Sequence, residues 1–234
     1  MSGFAHLPIL PVVLPLFAGI ALLALRNHSL ALQRGIGLAA SLALIPLALT
    51  LIGTAADGSH LVYKLGNWAA PYGIVLVVDR LAAWMLLTTA LLAAVGLLYA
   101  MRAPPPQPSP QMGEGANAGP KPIYDTQGRH FHVLFQLQLF GLNGAFLTGD
   151  LFNLFVFFEI LLLASYGLLL HGGGRQRVKA GLHFVVINLV GSTLFLFAVG
   201  TLYGVLGTLN MADLAVKAAA TPADNAALVR SAAL

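Results

Sequence analysis

The sequence predicts an all-α polytopic membrane protein with about six transmembrane helices. Of its 234 residues, 58% are hydrophobic and only 9% are charged, whereas a soluble domain has roughly 25% charged residues. The mean hydropathy is +0.84. The hydrophobic residues form continuous runs of about twenty, the length that a helix needs to cross a bilayer, rather than the short alternating segments of a barrel.

The first three spans are predicted within residues 1–101. They run from Ala5 to Leu25, from Leu30 to Gly53 and from Asp79 to Met101. The first span lacks a basic segment before it and is too long for a cleaved signal, so we expect it to be retained. It contains three prolines, which can kink a helix and leave backbone groups that neighbouring helices must satisfy.

Residues 54–73 are predicted to form a polar extracytoplasmic loop between spans two and three. Asp57 and Gly58 are a residue pair typical of hairpin turns. The flanking segments His60–Tyr63 and Ile74–Val78 are rich in β-branched and aromatic residues. A small surface hairpin is therefore expected here.

A linker and a second group of spans follow. Residues 102–130 are rich in proline and glycine, which predicts a cytoplasmic linker that is disordered or partly polyproline II. Residues 131–207 contain three further spans, which run from Phe131 to Thr148, from Leu151 to Leu170 and from Ala180 to Leu206. Residues 208–234 are weakly amphipathic and are expected to form a surface helix or to be disordered.

The basic residues predict the orientation of the chain in its membrane. The connections after spans one, three and five carry eight lysines and arginines, against four on the opposite side. Positive loops stay in the cytoplasm, so the N-terminus is predicted to lie outside. Because these residues are scattered in short loops and form no basic stripe, nucleic-acid binding is rejected. The absence of cysteine excludes disulfides, Fe–S ligation and thiolate zinc sites.

Glu159 is the principal candidate site residue. It lies nine residues after Asp150, or about 13 Å along a helix, which is close to the middle of a hydrocarbon core about 30 Å thick. A carboxyl group at that depth must face protein or water, and such groups are usually functional. The alternative is a neutral carboxyl that only forms a hydrogen bond between helices.

His183 is the second candidate, as a possible proton relay one turn inside the sixth span. The alternative is an interfacial histidine satisfied by headgroups or carbonyls. Asn188, Ser192 and Thr193 reach mid-membrane depth and could bind water or contact Glu159, or could serve only helix packing.

His130 and His132 are an unsuitable pair for a metal ion, since helical residues two apart point about 200° away from each other. We expect both to be groups at a helix end near the membrane interface. No metal or cofactor site is predicted.

Three segments resemble a known family. The run from Gly149 to Glu159 is similar to the fifth-helix signature of the proton-antiporter-like membrane subunits. These include the D subunit of the Mrp-type multisubunit monovalent cation/proton antiporters and the pumping subunits of respiratory complex I. The stretches from Gln138 to Phe146 and from Tyr203 to Leu214 resemble the D subunit in particular. The resemblance covers nearly the whole chain except the insert at residues 104–128.

The resemblance implies a fold, a role and partners. Family members are about twice this length and contain two inverted repeats of five helices, so the chain would be an amino-terminal half with three helices of the first repeat. Glu159 would be the essential glutamate, with a lysine partner beyond this chain, and His183 stands where relatives often have lysine. The protein would be a secondary transporter subunit of the bacterial plasma membrane rather than an enzyme. Its partners would be other antiporter subunits, protons and monovalent cations.

Two alternatives remain open at this point. One is a proton-pumping subunit of an NADH:quinone oxidoreductase or membrane hydrogenase, which would use the same glutamate. The other is a structural module that carries no transport of its own and holds partner subunits together.

Overall fold

The computed structural model of the chain describes residues 6–68, 73–102, 130–171 and 175–233. The predicted all-α membrane fold is confirmed. Five of the helices in the described residues are long and apolar enough to span a membrane, and a sixth apolar helix has 17 residues. The helices are α1 (Leu10–Ala24), α2 (Leu30–Thr54), α3 (Arg80–Arg102), α4 (Phe131–Leu147), α5 (Leu151–Leu170), α6 (Arg175–Leu206), α7 (Met211–Ala219) and α8 (Ala223–Ala233), with strands β1 (Leu61–Lys64) and β2 (Val75–Val78).

The predicted span boundaries agree with the helices except at the starts of α1 and α6. The predicted start of the first span, Ala5, lies outside the described residues, and α1 begins at Leu10 after a 3-10 helix at Leu7–Ile9. Helix α6 begins at Arg175, five residues before the predicted start at Ala180. Hydropathy locates only the part of a helix that lies in hydrocarbon. A helix of 32 residues is about 48 Å long, so its basic first turns extend beyond a core about 30 Å thick.

Helix α1 contains a proline whose missing backbone hydrogen bond is replaced from another helix. Pro15 lies inside the helix and has no N–H to donate to the carbonyl of Pro11 one turn earlier. The side-chain Nδ2 of Asn143 on α4 donates to that carbonyl oxygen at 2.8 Å, and Asn143 is 1% exposed. The prolines of the first span were expected to need a hydrogen-bond donor from a neighbouring helix, and Asn143 is such a donor. Its bond joins α1 to α4.

Helix α4 lies at the centre of the bundle, in contact with α1, α2, α3 and α5. Its contact with α5 is close because it presents glycines. A Cβ added to Gly141 would lie 2.8 Å from the backbone nitrogen of Leu161, and one added to Gly144 would overlap the ring of Phe157. Any larger residue at Gly141 would push α5 away, so these glycines set the distance between the two helices.

A small sheet covers one end of the bundle. Strands β1 and β2 pair antiparallel, with Leu61 opposite Val78 and Lys64 opposite Val75. The sheet continues through two extended segments: the amide of Gly149 donates to the carbonyl of Val75, and the amide of Met211 donates to the carbonyl of Gly149. The loops after α2, α4 and α6 therefore meet at the same end.

The predicted hairpin is confirmed in its position and corrected in two details. Its strands are joined through residues 65–74, whereas Asp57 and Gly58 form a turn directly after α2, in which Gly58 has a φ of +87°. Strand β2 is also buried rather than superficial, with Val78 fully buried, because it packs across the ends of the helices.

The described part of the tail contains two helices, α7 and α8. The side chain of Asn210 caps α7 by accepting from the amides of Ala212 and Asp213. Helix α8 packs against α6. The predicted linker at residues 102–130 falls almost entirely on residues 103–129, which lie outside the described residues.

We predict that Asn143→Leu lowers the free energy of unfolding by about 1 to 2 kcal/mol, since the carbonyl of Pro11 then loses its donor. Pro15→Ala restores an N–H within α1, so the double variant should recover much of the loss. A double-mutant cycle on the purified protein in mixed micelles measures this coupling. Equal destabilisation by Asn143→Leu with and without Pro15→Ala would show that the bond to Pro11 is unimportant.

Candidate functional site

The side chain of Glu159 lies on the face of α5 that contacts α6. Two ring contacts define how the helices pair: Phe155 stacks on Phe195 at 6.3 Å, and Tyr166 meets Phe184 edge-on at 5.7 Å. These contacts align the helices antiparallel and place Glu159 at the level of Gly191. Glu159 lies one turn after Phe155 and two turns before Tyr166, so all three share a face.

The carboxylate of Glu159 is half-buried, and one of its oxygens is incompletely satisfied. Its Oε1 is buried and has no hydrogen-bond partner among the residues that the structure describes. A buried polar atom of this kind costs free energy unless a donor reaches it. The Tyr166 side chain is close enough for an electrostatic interaction with Glu159.

The polar residues of α6 do not supply that donor. Asn188 and Ser192 belong to the less exposed stripe of α6, whereas Thr193 is exposed. All three side chains donate to carbonyls of their own helix: Asn188 to Phe184, and both hydroxyls to Leu189. Short polar side chains compete for nearby backbone acceptors in this way. Of the alternatives considered for these residues, a contact with Glu159 is therefore not formed.

The second candidate, His183, is not brought next to Glu159. Its side chain is exposed, and its Nδ1 lies 2.9 Å from the carbonyl oxygen of Lys179. The helix alignment places it at the level of Gly167, which is eight residues or about 12 Å along α5 from Glu159. The two residues are therefore separate points on the α5–α6 surface.

His132 differs from the expectation of an interfacial group. It lies in the first turn of α4, but its side chain is only 2% exposed and packs against Gly37 of α2. The hydrophobic pattern could not reveal this, because the burial of His132 depends on a glycine about a hundred residues earlier. In the described part of the chain, no group of three or more His, Cys, Asp or Glu residues could hold a metal.

The buried amides of α4 were not predicted from the sequence. Gln136 and Asn143 lie on the same face as His132, four residues and eleven residues after it, and each is at most 1% exposed. Gln136 contacts α2, since its Nε2 donates to the carbonyl oxygen of Gly37 and to the hydroxyl oxygen of Ser41. The regular spacing of polar residues within an apolar helix was the signal that could have identified them.

Asp150 has a structural role at the start of α5. Its Oδ1 accepts from the backbone amide of Asn153 at 2.9 Å and so caps the helix. Burial raises the pKa of the Asp150 carboxyl above its usual value, against a smaller lowering by the amides of Asn153 and Phe152. Asn153 in turn donates to the hydroxyl of Thr148 at 2.9 Å.

The basic residues of the six apolar helices lie far from Glu159 along the helix axes. In the six apolar helices, every lysine and arginine occurs within the first two turns or the last turn. None of them is at the level of Glu159, which is the ninth of the 20 residues of α5. None of the lysines and arginines of these six helices therefore lies beside the carboxylate.

Comparisons with known proteins agree with this arrangement. Residues 148–233, which include Glu159 and His183, match the family described as NADH:quinone oxidoreductase/Mrp antiporter, TM. The chain is 50% identical to the D subunit of a probable K(+)/H(+) antiporter of Rhizobium meliloti, over 92% of this chain and 37% of that protein. It is 39% identical to the N subunit of the NADH-quinone oxidoreductase of Desulforudis audaxviator, over 91% of this chain and 39% of that protein.

A solved structure shares the fold. The Mrp complex from Dietzia sp. matches with a TM-score of 0.74 and 28% identity, over 94% of this chain and 40% of the matched chain. These findings confirm the predicted resemblance to the D subunit of the Mrp-type antiporters. The chain spans less than two fifths of the length of the Rhizobium and Desulforudis relatives.

We predict that Asp150→Asn preserves the helix cap, since both residue types cap well, and removes a pH-dependent contribution to stability. Because the pKa of Asp150 is raised on folding, its stabilising contribution is present below the unfolded pKa of about 3.9 and is lost as pH rises through the folded pKa. The parent should therefore gain stability relative to the variant as the pH falls from about 7 to about 4. Unfolding titrations of both proteins across this range measure the difference, and a pH-independent difference would contradict the assignment.

Proposed function

We propose that this chain, similar to the D subunit of the antiporters, forms part of a multisubunit Na+ (or K+)/H+ antiporter and takes part in proton translocation coupled to cation exchange. The observation that carries the proposal is Glu159: a carboxylate at mid-span, facing a second helix, with a buried oxygen that lacks a hydrogen-bond partner among the described residues. Ionisable groups inside a membrane span usually mark the path of an ion or a proton.

In the proposed mechanism Glu159 alternates between two states. When protonated, it is neutral and compatible with the apolar surroundings of Phe155 and Phe195. When ionised, it needs a cation, which the six apolar helices do not provide at this depth. The partner is then a basic group from another helix or subunit, and its approach or withdrawal changes the affinity of Glu159 for a proton.

His183 is proposed as a relay that exchanges protons with the end of the bundle where α6 begins. Its exposure and its position near the basic residues Arg177 and Lys179 support this role. His183 is separated by about 12 Å along the helix axis from the level of Glu159. This distance is too long for direct proton transfer, so water must connect the two side chains. Asn188 lies between the two levels on the same helix.

The proposed location is the bacterial inner membrane, with the N-terminus outside. The sheet that joins the loops after α2, α4 and α6 then lies on the extracytoplasmic side. The loops after α1, α3 and α5 lie in the cytoplasm, which agrees with the excess of basic residues there. The proposed partners are the other subunits of the complex.

A pumping subunit of an NADH:quinone oxidoreductase is the second candidate, favoured by the 39% identity to a protein named as the N subunit of such a complex. Both candidates assign the same role to Glu159, so its substitution cannot separate them. Purification of the native complex can: antiporter subunits and cation-dependent proton exchange support the first, whereas quinone-reductase subunits support the second.

We predict that Glu159→Gln abolishes cation-dependent proton exchange in membrane vesicles that contain the assembled complex. The amide keeps the size and hydrogen bonding of the carboxyl and removes only its charge. Glu159→Asp should keep partial activity, since it retains an acid that is withdrawn by one methylene. Fluorescence of a pH-sensitive dye in the vesicles gives the rate, and immunoblotting gives the amount of protein.

Asp150→Asn is the matched control, because it makes the same chemical change nine residues earlier on a capping residue. It should leave exchange close to the parent rate. If Glu159→Gln also exchanges at the parent rate, the carboxyl only joins helices, and the chain is a structural module rather than part of the proton path.

The orientation has its own test. A reporter enzyme inserted within residues 102–130 should behave as cytoplasmic, and one inserted in the loop at residues 65–74 should behave as extracytoplasmic. Paired fusions with an alkaline phosphatase and a fluorescent protein distinguish the two sides. The opposite pattern would reverse the orientation without affecting the role of Glu159.

A further inference from the structure

The interface of α1, α2 and α4 contains a second group of buried polar side chains, separate from Glu159. Three of them surround one point: Gln136 and Ser41 are fully buried, and His132, one turn before Gln136 on α4, is nearly so. Apolar side chains could fill this interface at lower cost in a membrane. The presence of an amide, a hydroxyl and an imidazole here instead of apolar side chains therefore needs a physical explanation.

The amide of Gln136 is oriented by two bonds and leaves one atom without a partner. Its Nε2 donates to the carbonyl oxygen of Gly37 at 3.0 Å and to the hydroxyl oxygen of Ser41 at 3.1 Å. Its Oε1 is buried and has no partner among the described residues. Exchanging the two atoms would set Oε1 against the carbonyl of Gly37, two acceptors facing each other, so the observed orientation is the required one.

Glycines form two walls of this site. A Cβ on Gly19 of α1 would lie 3.6 Å from Cβ of Gln136, and one on Gly37 of α2 would lie 3.2 Å from Nδ1 of His132. The absence of side chains at these two positions leaves the polar atoms of α4 facing backbone. The site is therefore polar and lined by small residues.

We propose that a water molecule binds between α1, α2 and α4 and donates a hydrogen bond to Oε1 of Gln136. A buried acceptor without a donor costs about 1 to 3 kcal/mol, and internal water commonly satisfies such atoms in proteins. Water is the smallest neutral molecule that can donate here. The imidazole of His132 lines this site beside Gly37.

Radiolytic hydroxyl labelling in water enriched with ¹⁸O tests the site directly, since side chains next to bound water react even when bulk solvent is excluded. The sample is the protein purified from its own membrane with its associated subunits. After correction for the intrinsic reactivity of each side-chain type, we expect His132 to take up ¹⁸O faster than Leu97, which is fully buried on α3. Gln136→Leu should lower this uptake several-fold, because it removes the acceptor that holds the water.

Gln138→Leu is the matched control, since it makes the same substitution on the same helix at a half-buried position and should leave the labelling unchanged. Gln136→Met also removes the acceptor and introduces a flexible side chain. This variant decides the result if the leucine variant cannot be purified. Parent-like labelling in Gln136→Met, or labelling of His132 no faster than that of Leu97 in the parent, would overturn the water site. Neither result depends on transport, so the proposed function is tested separately.

Discussion

Inside a bilayer, no solvent is available to complete an unpaired polar group, and this constraint determines which residues can lie between the helices. Pro15 shows the constraint on the backbone, since its missing N–H leaves the carbonyl of Pro11 to be satisfied by Asn143. The same contact joins α1 to α4. A helix irregularity in the first span therefore specifies a polar residue in the fourth and helps to define their relative position.

Most of the fold follows from local sequence properties. Hydropathy predicts the six apolar helices, and the β-branched segments predict β1 and β2, because both signals are contained in neighbouring residues. The early start of α6 and the burial of β2 were not predicted, since the first depends on the finite thickness of hydrocarbon and the second on packing over helix ends. Contacts between residues distant in sequence cannot be predicted from the residues of one segment alone.

The candidate site was predicted in part for the same reason. The depth of Glu159 follows from its distance to Asp150, so one sequence was sufficient to single it out. The buried amides Gln136 and Asn143 were missed because their burial depends on Gly37 and Pro11, which are distant in sequence. The polar residues of α6 prefer carbonyls of their own helix, which removes them as partners of Glu159.

Glu159 and Gln136 represent two different solutions to the same constraint. The amide of Gln136 cannot change its charge, so its unsatisfied oxygen favours a permanent neutral ligand. The carboxyl of Glu159 can gain or lose a proton, so its unsatisfied oxygen can be relieved either by protonation or by an approaching cation. Because the basic residues of the six apolar helices are confined to helix ends, relief by a cation requires a group from outside these six helices. Under the proposed function, that group belongs to an element that covers α5 and α6, and the carboxylate then depends on how that element moves.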